Sequence, residues 1–261
     1  MRANKNYQYL FFFFIGICSF FNAGNSNIYI QINFLLISII FLVCLKNKNY
    51  IAHLNIFLSK NKLPFFLFSS FILYLVFQLI PLPIEILNIV SYEKFSLLNK
   101  MEYSLGLSSI SFSPTDTYFQ ILNYITIFIC ILVVKMIFYD QRHIYRFYYF
   151  LTLLGALHSC LAISLYLNAN PDILFLNNSH YKDSSTGFFV NRTVFSIFLI
   201  FCLICGLEYL KNIVKTDFYK NKDIFFKKIY VRIFIIFITV GIITTFSKLG
   251  NFVMFMTILF Y

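Results

Sequence analysis

The sequence predicts an all-α protein, a polytopic bundle of transmembrane helices with about seven spans and a truncated eighth, and three observations lead there. Sixty per cent of the 261 residues are hydrophobic. Only 12% are charged, about half the share of an ordinary soluble domain. Apolar runs of about 17 to 23 residues, the length that crosses a hydrocarbon core, recur along the whole chain.

The runs fall at about 7–23, 28–45, 64–84, 117–138, 147–167, 188–210 and 230–246, with an eighth beginning near Phe252. The first follows Arg2 and Lys5 but lacks a small-residue cleavage site, and a second run comes almost at once, so it reads as a retained helix rather than a signal peptide. Two intervening segments are long enough to hold structure. One, about 85–116, reads as an interfacial helix followed by a turn at Ser113-Pro114. The other, about 168–187, contains Asn170-Pro171-Asp172. The last run is too short to span, and a helix stopping in mid-bilayer would leave its final carbonyls unpaired. The expectation is therefore a single multi-pass domain over 1–261 that is incomplete at its C-terminus, the front part or a truncated form of a longer protein.

A net charge of +11 raises the question of nucleic acid, but the basic residues lie in short blocks between apolar runs, which reads as topology. With the N-terminus on the cytoplasmic side, sixteen Lys and Arg fall inside, and only Lys94, Lys100, Lys182, Arg192 and Lys248 fall outside, out of 21 in all. Short loops rich in Lys and Arg are retained in the cytoplasm, so this split sets the orientation. The six cysteines all fall in predicted spans, where free Cys behaves as a small hydrophobe. Neither a disulfide framework nor a zinc site is indicated. Trp is absent, which leaves the interfacial role to tyrosines such as Tyr7, Tyr74, Tyr148 and Tyr209.

The most informative stretch runs from Gly187 to Ser196, where a polar Asn191-Arg192 pair sits just inside the outer end of a span. Arginine there is costly unless it snorkels or meets an anion. One reading is an interface anchor. The other is an anion-binding residue facing outward, since guanidinium holds phosphate bidentately and stays charged at any relevant pH.

On these residues the sequence resembles the O-antigen ligase and polymerase family of membrane glycosyltransferases, whose members carry a similar G-x-F-x-N-R-N-x-F-A segment. Gly187, Phe189, Asn191, Arg192 and Phe195 match, while Thr193 stands for the usual Asn and Ser196 for the usual Ala. Gln78-Leu-Ile-Pro-Leu-Pro is similar to the family's Q-x-x-P-L-P, and Ser111 to Thr117 to its S-x-x-P-x-x-T. Thr245-Phe-Ser-Lys-Leu-Gly resembles T-x-S-R-G-G, with Lys248 where Arg is usual and Leu249 where Gly is usual. The motifs keep their order across about residues 65–250.

The resemblance implies transfer of a glycan from undecaprenyl diphosphate to lipid A core or another glycan acceptor, at the periplasmic face of the bacterial inner membrane, without nucleotide or metal cofactor. It implies that Arg192 and Asn191 bind the diphosphate, with Lys248 as helper. Family members place a late outward loop with further Arg and a His beyond this region, so the chain by itself is expected to be inactive. His53, His143, His158 and His180 take no catalytic role in this reading, and Asp172 and Asp183 read as solvated acids. The sequons at Asn177 and Asn191 read as chance matches. A glycan-repeat polymerase of the same family remains open, as does a polytopic transporter or lipid-carrier flippase. A non-catalytic membrane partner is the third possibility.

Overall fold

The computed structural model describes residues 3–21, 26–100, 106–171, 181–215 and 222–261. Helix dominates throughout. In chain order the elements are α1 (Ala3–Phe20), α2 (Asn27–Leu45), α3 (Lys48–Lys60), α4 (Lys62–Leu79), β1 (Pro81–Pro83), α5 (Ile84–Val90), α6 (Tyr92–Lys100), β2 (Leu107–Ser109), α7 (Pro114–Ile137), α8 (Gln141–Leu167), α9 (Arg192–Lys215), α10 (Lys222–Thr244) and α11 (Lys248–Phe260). Each expected apolar run is helical over most of its described length. Five described helices, α2, α4, α7, α8 and most of α9, are long and apolar enough to cross a membrane by length and composition. The apolar parts of α1 and α11 are shorter, and α10 carries Lys227, Lys228 and Arg232 in its first half.

The chain divides into two compact units, Met1–Tyr29 with Ile137–Tyr261, and Ile30–Met136. In the second unit the expected single interfacial helix over 85–116 is replaced by a more broken arrangement. Ile80 is extended (ψ 125°), the conformation that a following proline favours, and this stops α4 short of residue 84. Pro81, Leu82 and Pro83 then pair antiparallel with Ser109, Ser108 and Leu107, in a two-stranded edge where prolines cost no ladder partner. Two short helices, α5 and α6, fill the interval. Pro114, expected in a turn, is the first residue of α7, the position where its fixed φ and missing N–H suit a helix best. The segment between α2 and α4 holds α3, a helix the apolar pattern does not announce. Asn47 caps it, accepting from the Asn49 N–H at 3.0 Å, and it buries Tyr50 and Leu54.

In the first unit α8, α9 and α10 pack on one another, with α11 along α9 and α1 against α8. Hydrocarbon solvates apolar side chains as well as a protein core does, so close van der Waals contact between small residues must hold such helices together. The sequence supplies them at each interface. A Cβ at Gly155 of α8 would lie 2.5 Å from the Cys202 Cβ of α9, one at Gly206 of α9 would lie 2.9 Å from Thr152 of α8, and one at Gly241 of α10 would lie 2.5 Å from the Ser159 Oγ of α8. Around them Phe195, Leu199, Cys202, Leu203, Ile238 and Ile242 form a buried core. On the other side of α8, Phe12 stacks on Phe150 with centroids 4.4 Å apart and planes 7° apart, a pairing worth about 0.5–1.5 kcal/mol beyond burial.

Candidate functional site

The candidate residues lie where α8 ends, α9 begins and α10 turns into α11. Helix α8 closes through positive φ at Ala169 (60°) and Asn170 (48°), with the Asn170 N–H donating to the Leu165 carbonyl at 2.8 Å. Asn is among the few side chains that tolerate this conformation. Asp172, Asn177 and His180 lie outside the described residues. Where the chain resumes at Tyr181, the buried Asn170 amide nitrogen faces the carbonyls of Tyr181 (3.2 Å), Lys182 (2.8 Å) and Ser184 (3.0 Å). Asn170 thus ties the returning segment to the end of α8.

The segment then enters the bundle. Ser185 donates its N–H to the Thr244 carbonyl at 3.0 Å, and the two hydroxyls lie 2.9 Å apart. Gly187 has φ +55°, and a Cβ there would sit 3.2 Å from that of Ala162. The position therefore requires glycine for both conformation and space. Phe189 is buried against Phe195 and Phe198, with centroids 5.2 and 5.1 Å away. Asn191 caps α9, its Oδ1 accepting from the Thr193 N–H at 2.8 Å and its carbonyl from the Phe195 N–H at 3.0 Å. Four of the five matched residues of this motif thus build a turn and a cap that hold the fifth, Arg192, at the first position of α9.

The second motif is built the same way. Thr245 is fully buried, and its hydroxyl donates to the Ile242 carbonyl at 2.7 Å while accepting from the Ser247 N–H at 3.2 Å. Phe246 takes φ +50°. Ser247 caps α11, its Oγ accepting from the Gly250 N–H at 3.2 Å. The two motifs meet: the Ser247 hydroxyl donates to the Thr193 Oγ1 at 3.4 Å, and Gly250 lies directly on Ser196. The N-termini of α9 and α11 are therefore neighbours, with Arg192 at the head of one and Lys248 at the head of the other.

Arg192 is half-buried, its Cζ over the Tyr181 ring at 5.6 Å from the centroid, within the reach of a cation–π contact. Lys248 is exposed. Among the described residues neither is paired with a carboxylate; the ion pair found there, Lys211 with Glu208 at 3.6 Å, joins residues further along α9. Asn191, expected to bind substrate, has its side-chain oxygen engaged in the cap. Asp183 is exposed. His158 is fully buried, its Nε2 3.0 Å from the Ser19 Oγ and its ring stacked on Phe20 at 4.3 Å.

The earlier motif pair converges in the other unit. The Ser111 N–H donates to the Gln78 carbonyl at 3.1 Å, and the Ser111 and Thr117 hydroxyls lie 2.7 Å apart. Beside them is a residue that sequence reasoning counted only as one of the outside charges. Lys94 is 7% exposed and donates its ammonium to the carbonyls of Ser109 and Ser111, with the Phe112 ring 5.8 Å away. Burial pushes its pKa down from the usual lysine range. Tyr181 and Asn170 were also missed as partners of the site, and only the Asn-Pro turn signal at 170–171 pointed to either.

Two hollows lie elsewhere in the first unit. One, of about 220 Å³, is lined by Gln141, Tyr145, Tyr148, Glu208 and Asn212 at the opposite end of α8 and α9. The other, of about 490 Å³, is an apolar groove between α1 and α8. Comparison of the chain with protein-family models, curated proteins and solved structures finds no match.

Proposed function

We propose that the chain is a membrane glycosyltransferase of the O-antigen ligase type, with Arg192 as the residue that receives the diphosphate of an undecaprenyl diphosphate-linked glycan. In this reading the helices form about seven spans in the bacterial inner membrane. The N-terminus is cytoplasmic, and the heads of α9 and α11 face the periplasm, where the acceptor is lipid A core or another glycan. A repeat polymerase would share the donor chemistry and differ in its acceptor.

The observation that carries the reading is a half-buried guanidinium lacking a carboxylate partner among the described residues, fixed where two helix N-termini adjoin. Each N-terminus contributes roughly half a positive charge, and such ends bind anions through their free N–H groups. The contact with Tyr181 positions the guanidinium, no described residue is seen to hydrogen-bond to its side chain, and a guanidinium can grip phosphate bidentately. Lys248 adds a second cation one helix away. As the glycosidic bond breaks, negative charge gathers on the departing diphosphate, and cations already in place stabilise it without reorganising. Asn191 contributes by capping α9 and so fixing the height at which Arg192 leaves the helix.

The test is glycan attachment in a ligase-deficient strain, with the chain joined to the late outward loop of a full-length family member. Attachment is expected. Arg192→Lys is expected to lower it about tenfold or more, because an ammonium keeps the charge and loses the fork, while the protein stays in the membrane. Normal attachment by the Lys variant would rule out the bidentate role.

A further inference from the structure

The apolar groove between α1 and α8 is lined by Phe12, Gly16, Phe20, Phe21, Phe150 and Leu154 among others, and every lining side chain is apolar. Gly16 is one of the lining residues, and an added Cβ there would meet nothing within 4 Å. From Phe12 to Phe20 the helix rises about 12 Å, enough to seat a stretch of extended hydrocarbon. One end of the groove is tied to the candidate site. The Phe20 ring meets Phe188 edge-on at 5.4 Å, and Phe188 stands four residues before Arg192 in the segment that leads into α9. A chain lying in the groove would have its head toward a cation that has no carboxylate partner among the described residues. An amphiphile with one long apolar tail and an anionic head is complementary to both parts.

We propose that this groove holds the hydrocarbon chain of the phosphorylated lipid whose diphosphate Arg192 receives. The inference rests on the diphosphate reading for the head and adds the place of the tail. It assigns α1 a role in selecting a long-chain carrier, beyond its packing against α8.

The experiment is photolabelling in nanodiscs with a polyprenyl diphosphate carrying a diazirine in the chain, with sites read by peptide mass spectrometry. Label is expected on α1 between Phe12 and Phe21 and on α8 near Phe150, competed by unlabelled polyprenyl diphosphate and not by phosphatidylglycerol. Gly16→Leu begins its side chain in open space, so the fold is expected to be retained, which thermal unfolding of the variant checks. It is expected to weaken labelling about tenfold, the affinity equivalent of about two methylenes excluded from an apolar site. Equal competition by phosphatidylglycerol would reduce the groove to ordinary lipid contact and overturn the proposal. Crosslinks between copies at α1 without lipid label would make it a self-association face and overturn it too. Because the readout is binding, specific labelling together with failed glycan attachment would remove the transferase reading and leave the tail site standing.

Discussion

At the scale of single residues, the motif over Gly187 to Ser196 is mostly scaffold. Gly187 turns the chain, Phe189 and Phe195 anchor it, Asn191 caps the helix, and Arg192 is left as the group with chemistry to offer. Asn191→Ala removes the cap and is expected to cost about 1 kcal/mol of stability, whereas Asn191→Asp keeps it. Gly187→Ala should cost more, since it combines positive φ with the 3.2 Å approach to Ala162. Thermal unfolding of the detergent-solubilised variants checks the order. A neutral Asn191→Ala would show that the cap is dispensable and that Asn191 is free for another role. None of these roles could be read from the residues themselves, because a cap or a left-handed turn is defined by the backbone of its neighbours. The sequence singled out this segment for its Arg and read Asn191 as a ligand, and the structure shows the Asn191 side-chain oxygen engaged in the cap.

At the scale of elements, length and hydropathy were enough to place the long helices among the described residues, because an unbroken apolar run of that length in lipid pairs its own backbone groups by forming a helix. Boundaries shifted where local chemistry intervened. Ile80 before Pro81 stops α4, and Asn191 starts α9 well after residue 188, where apolarity begins. The short elements were less legible: α3, α5, α6 and the β1–β2 pair depend on caps, prolines and the buried Lys94, none of which has a periodicity to read. Between helices, packing rests on glycine. Gly241→Ala places a methyl 2.5 Å from the Ser159 Oγ and is expected to destabilise the bundle by about 1–3 kcal/mol. Ser159→Gly in the same chain should recover part of that loss, since the two positions share one contact. A midpoint of unfolding unchanged by Gly241→Ala would mean that α8 and α10 do not meet at this point.

At the scale of the whole molecule, composition pointed to a membrane protein and the structure supplied helices to match, five of the described ones long and apolar enough to cross. What no composition could show is that two motifs more than fifty residues apart close on each other through Thr193 and Ser247. That closure brings the heads of α9 and α11 together, and on it depends the claim that the unit is built around an anion. The most direct measurement is equilibrium binding of undecaprenyl diphosphate to the purified protein in zwitterionic nanodiscs, comparing wild type with Arg192→Ala, Lys248→Ala and the double variant. The account expects Arg192→Ala to weaken binding about tenfold or more, Lys248→Ala to weaken it less, and the double variant to lose less than the sum because both cations act on one ligand. Undiminished affinity in Arg192→Ala would contradict it.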